Sequence, residues 1–98
     1  MSLVHKPQIA FAFYLESEWD SWRSTMSDGP DFFASSYQEW EMRCHKMRDE
    51  KTRQGYDVTM VRITVAEFIQ WAKRNVRTTD AGARAEYAGL NSDQTYLN

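Results

Sequence analysis

The sequence predicts a small single domain of the α+β or α/β class, with two strands and four helices in the order β-α-α-β-α-α and the helices packed on one face of the strands. Three observations lead there. Two short runs of branched and aromatic residues place apolar side chains at period two. The stretches between and after them space their apolar residues three and four apart, and most of those stretches open on Ser or Thr followed by an acidic residue three positions later.

The first strand is "QIAFAFYL" after Pro7, with Ile9, Phe11, Phe13 and Leu15 at period two and the small Ala10 and Ala12 between them. Ser17 then offers a cap, and Asp20 completes a capping box for a short helix whose Trp19, Trp22 and Met26 share one stripe. The breaker cluster "SDGP" at 27–30 ends that helix. A better box, Ser36 with Glu39, opens a helix over 37–54 that Gly55 closes; its dry stripe is Tyr37, Trp40, Cys44 and Met47. "DVTMVRITV" reads as the second strand, with Val61, Ile63 and Val65 inward. Thr64 and Glu67 start a third amphipathic helix with Phe68, Trp71 and Ala72 inward. Asp80 caps a last, Ala-rich helix over 81–90, where Ala81, Ala85 and Ala88 form a small-residue stripe beside Tyr87. The domain is expected to span 1–90, with 91–98 a flexible tail.

Two strands seldom make a stable sheet alone. The segment between them is long enough for a helical crossover, so parallel pairing is open to them, and an exposed strand edge then remains. A homodimer with one sheet continuous across a twofold axis is the expected assembly.

A chain of 98 residues holds one core, and 42% apolar with 27% charged residues is a globular composition. The net charge of −2 argues against a surface built for nucleic acid or for an anionic membrane. One cysteine forms no internal disulfide, which fits a reducing cytoplasm. The apolar run "IAFAFYL" is too short to cross a membrane and runs straight into acidic residues, so no membrane partner is expected.

The chemistry-bearing residues give few patterns. Cys44 and His45 are adjacent on one helix and point about 100° apart, so they form no nucleophilic dyad; Cys44 reads as a buried small hydrophobe. The row Glu41, His45 and Asp49, at i, i+4 and i+8, is the one candidate metal row, against a plain reading as solvated charge pairs. Lys46, Arg48, Lys51 and Arg53 form a basic side of the same helix that would meet phosphates, although acids interleave with them. Arg62 interrupts an apolar strand and would lie over Met60. With Arg84 near Tyr87, and with Tyr14 and Trp19, it supplies the candidate surface for a carboxylate, a planar ligand or a protein partner.

No catalytic constellation is visible and no cofactor is implied. The expected function is a small cytoplasmic interaction or accessory protein, acting as a homo-oligomer through an aromatic and arginine-bearing surface. A small-ligand module and a nucleic-acid-associated regulator are the alternatives.

Overall fold

The computed structural model describes residues 6–92; positions 1–5 of the expected domain and 93–98 of the expected tail lie outside the described residues. The expected small α+β architecture is what the structure shows. Strands β1 (Gln8–Phe13) and β2 (Asp57–Arg62) pair in parallel, in the register Ile9 to Val58, Phe11 to Met60 and Phe13 to Arg62. Around them lie helices α1 (Trp19–Thr25), α2 (Gly29–Phe32), α3 (Tyr37–Arg53), α4 (Val65–Arg74) and α5 (Ala81–Leu90).

In a parallel pair, partner residues share a face. Ile9, Phe11 and Phe13 therefore lie with Val58, Met60 and Arg62, while Ala10 and Ala12 lie with Thr59 and Val61. Phe13 meets Trp40 and His45 of α3 on the first face. On the second, α5 packs along β1. Met60 and Val61, neighbours on opposite faces, are 1% and 0% exposed, so helical cover extends to both sides of the sheet.

Both strands end earlier than their apolar patterns suggest. Tyr14 leaves the sheet and gives its carbonyl to the Tyr37 hydroxyl at 2.9 Å. Thr64 stays extended to cap α4, its hydroxyl accepting from Glu67 N–H, so β2 cannot run on to Val65. The Ser36–Glu39 box of α3 forms with both reciprocal bonds, and Asp80 caps α5 through Ala83 N–H at 3.0 Å.

The first helix departs from expectation. A 3₁₀ turn over Glu16–Glu18 precedes α1, whose cap position is Glu18, and neither Ser17 nor Asp20 makes the expected box. Glu18 instead spends its carboxylate on the backbone N–H of Val65, at the start of α4. The "SDGP" segment also does more than break a helix: Pro30 sits in the first turn of α2, where its missing N–H costs nothing. Gly29 is required there, because a Cβ would stand 1.9 Å from the carbonyl oxygen of Arg23.

The core is built from rings. Tyr14 is surrounded by Trp19, Trp22, Phe32, Phe33 and Trp40, with centroids 4.8–6.4 Å away. Contacts of this kind are worth about 0.5–1.5 kcal/mol each beyond burial. Trp19, Trp22 and Trp40 are buried and Trp71 is half-buried. Trp22 Nε1 is the exception to polar satisfaction: among the described residues this buried N–H has no hydrogen-bond acceptor.

Two expected stripes are corrected. Met47 is 40% exposed rather than dry: it lines the hollows beside β1 and α2 with Phe32, Trp40 and Cys44 instead of closing into the core. On α5 the buried residues are Ala83, Arg84 and Ala88, while Ala85 is exposed and Ala81 only half-buried. The helix is turned so that Arg84 enters the core.

Candidate functional site

Arg84 is 0% exposed and carries its charge inside the domain. Its guanidinium grips both carboxylate oxygens of Asp28, at 2.8 and 2.9 Å, donates to the Tyr14 hydroxyl at 2.8 Å, and bonds the Thr79 carbonyl. The rings of Phe32 and Phe33 lie 4.6 and 5.1 Å from its central carbon. A bidentate, ring-flanked guanidinium is the arrangement that meets the cost of burying a cation. The sequence reading had this arginine holding a carboxylate at a surface; it holds the chain's own Asp28.

Electrostatics follow the geometry. The hydrogen bonds from Arg84 hold Asp28 below the usual carboxylate range. Burial alone would lower the Arg84 pKa, yet its bonds to Asp28 and Tyr14 raise it. Burial pushes the Tyr14 phenol up to about 12 and the Cys44 thiol up to about 11. Cys44 is thus a neutral, packed thiol, a poor nucleophile, as its place on the dry stripe implied.

The other expected site residues do not assemble into one surface. Met60, Tyr14 and Trp19 are core residues. Tyr87 is half-buried between the rings of Phe68 and Trp71. Arg62 is exposed at the end of β2, paired in register with Phe13. Glu41, His45 and Asp49 stay a row on α3, and among the described residues no group of three His, Cys, Asp or Glu side chains could hold a metal ion. The basic side of α3 is mixed: Arg48 approaches Asp49 at 3.5 Å, and Lys51 lies over the Tyr56 ring. The hollow there, lined by Lys46, Arg53, Met42, Arg43, His45 and Asp49, has walls from a single helix.

A concavity built from several elements lies elsewhere. One hollow of about 170 Å³ is lined by Ala10, Phe11 and Ala12 of β1, by Tyr14, by Phe32 of α2, by Trp40, Cys44 and Met47 of α3, and by Ala81 and Ala85 of α5. A second, of about 260 Å³, shares Phe32, Trp40, Cys44 and Met47 and adds Arg43. Together they form one apolar groove between α3 and α5, open along the outer side of β1.

The backbone forms part of that groove. Asp57 N–H donates to Pro7 O and Ile63 N–H to Phe13 O, so the ladder engages Pro7, Ile9, Phe11 and Phe13. Gln8, Ala10 and Ala12 turn their N–H and C=O groups the other way, into the groove. Among the described residues no hydrogen bond is seen at that side of Ala10 or Ala12. Phe32 and Met47, 39% and 40% exposed, stand over the same edge.

Sequence reasoning missed this site for a definite reason. Ala10 and Ala12 read as mere spacers between larger residues, Asp28 belonged to a supposed breaker, and Phe32 fell in the unassigned stretch behind it. The available signal was the pairing of small strand residues with the small residues of the last helix, which together leave room beside the strand.

No helix among the described residues is long and apolar enough to cross a membrane. Compared with protein families, curated proteins and solved structures, the chain matches none of them.

Proposed function

We propose that the protein is a small cytoplasmic interaction module working as a homo-oligomer, and that its docking surface is the open edge of β1 with the apolar groove beside it. The observation that carries this reading is the juxtaposition of outward-facing backbone groups on Ala10 and Ala12 with exposed Phe32 and Met47. An added strand would satisfy the backbone while its side chains fill the groove, which is how strand addition obtains both affinity and specificity. The core arginine supports the surface from below: Arg84 fixes Asp28 and the Phe32 ring beside the groove.

A small-ligand role draws less support. The two hollows share four residues in one open apolar groove whose one charged lining residue is Arg43, whereas ligand pockets orient their ligand through a few convergent polar groups. Acids interleaved along α3 weigh against a phosphate grip, and salt-sensitive binding of RNA or DNA at low ionic strength would be the sign of one.

The test is to block the edge without breaking the ladder. Ala10→Pro removes an outward N–H that the β1–β2 pair does not use, and Met47→Asp puts a charge into the groove. Both variants are expected to keep the wild-type far-ultraviolet circular dichroism and to lose self-association in sedimentation velocity. Association that survives both changes would overturn the assignment of this edge.

A further inference from the structure

We infer that the occupant of the groove is a second copy of this chain, whose β1 pairs antiparallel with the first across a twofold axis through Ala10. The inference rests on the docking reading above and gives it a register. The product is a four-stranded sheet in the order β2-β1-β1-β2.

The edge is compatible with itself. Outward backbone groups sit on Gln8, Ala10 and Ala12, so an antiparallel copy centred on Ala10 sets Ala10 opposite Ala10 and Gln8 opposite Ala12. Each such pair exchanges both of its backbone hydrogen bonds. At the far end, Tyr37 already occupies the Tyr14 carbonyl, which bounds the free edge to those residues.

The helices fit the same axis. Strands are about 4.8 Å apart, so α5, which packs against both β1 and β2, would stand about 9.6 Å from its copy, within the usual 8–10 Å of packed helices. On the α5 side the residues that line the hollows beside β1 are Ala81, Ala85 and Gly89, four apart, and their small size permits close approach. On the α3 side the residue over the edge is Met47. Helix α3 runs antiparallel to β1 from the Tyr37–Tyr14 bond. Met47 lies about 15 Å along α3 from that bond and Ala10 about 13 Å along β1, so both sit at the same level.

Charge supplies the independent argument. Arg43 lines the groove and donates to the Ser35 hydroxyl at 2.9 Å, Glu50 falls seven residues and two turns further along the same stripe of α3, with Met47 between them, and both are exposed. A twofold axis at Met47 runs the two α3 helices antiparallel. Arg43 of each copy then faces Glu50 of the other, and the pair is made twice. A parallel approach would set like charges together.

Analytical ultracentrifugation of the full chain, with charge reversals, tests the arrangement. Arg43→Glu and Glu50→Arg are surface changes, and each alone is expected to weaken the dimer about tenfold or more, while the double reversal restores it. Ala10→Cys is expected to form an intermolecular disulfide at position 10 on mild oxidation, since a hydrogen-bonded antiparallel pair holds its Cα atoms about 5.5 Å apart. A dimer dissociated by Ala10→Pro but indifferent to both charge reversals, and not cross-linked at position 10, would overturn this register while leaving the docking reading standing. A monomer at about 100 μM, far above the working range of a specific dimer, would overturn the second copy as occupant. If removing residues 93–98 then exposed the Cys44 thiol to a reagent, the chain's own end would be the occupant instead.

Discussion

At the scale of single residues, one ion pair concentrates the cost and the order of the core. Arg84 has exchanged water for Asp28, Tyr14, a carbonyl and two rings, and this is worthwhile only while every partner is present. Asp28→Ala leaves a buried, unpaired guanidinium and is expected to cost about 3–5 kcal/mol, read from urea unfolding. Arg84→Met is expected to cost less, because the Asp28 side chain is 26% exposed and regains water. The same pair sets an acid limit. Asp28 titrates below its ordinary 3.8 in the folded protein, so its contribution is fully present above that value and is lost as pH falls through the lower folded-state value. In Asp28→Asn that part of the acid-induced loss is expected to vanish from urea titrations repeated at falling pH. Only the pairing of Arg84 with some carboxylate was legible beforehand. An arginine on an Ala-rich helix near a tyrosine suggests a carboxylate nearby, but nothing local says that the carboxylate is fifty-six positions upstream.

At the scale of elements, starts were far more legible than ends and rotations. Caps are local chemistry: Ser36, Thr64 and Asp80 each accept from the backbone three residues on, as their spacing implied. Rotation about a helix axis is decided by what the helix meets. That is why α5 buries Ala83 and Arg84 in place of the expected Ala81 and Ala85. Helix ends show the same divide. Helices α3 and α4 both close with a bond five residues back and another three back, Tyr56 to Lys51 with Gly55 to Thr52, and Arg77 to Ala72 with Val76 to Lys73. The left-handed residue is Gly55 at φ 98° in one and Val76 at φ 51° in the other. Valine carries a Cβ penalty there and glycine does not. Val76→Gly is expected to stabilise the protein by about 1 kcal/mol, and Gly55→Ala to destabilise it by a similar amount, both read as shifts in the denaturation midpoint. Val76 is exposed, so no lost packing offsets the gain.

For the whole molecule, the governing fact is a sheet of two strands among the described residues, wrapped in helices on both faces, with the outer side of β1 lying in an apolar groove. The two strands with helical segments between and after them followed from the sequence; parallel pairing was an option it left open, which the structure takes, and α2 was read only as a break. The groove did not follow from the sequence, since it exists only where β1, α2, α3 and α5 meet. If the second copy completes the sheet, folding and association share one equilibrium, and the melting temperature is expected to rise with protein concentration in differential scanning calorimetry. A concentration-independent melt would show that the monomer holds its stability alone. The parallel register has a further consequence during synthesis. It joins residues roughly fifty positions apart, so at about 5–20 residues per second β1 leaves the ribosome some 3–10 s before its partner strand exists. Until β2 is made, "IAFAF" has two bare edges, and α4 and α5, which follow β2 in the chain, do not yet exist to cover it. The nascent chain is then open to whatever binds apolar strands first, and a bare edge of this kind is where aggregation competes with native pairing.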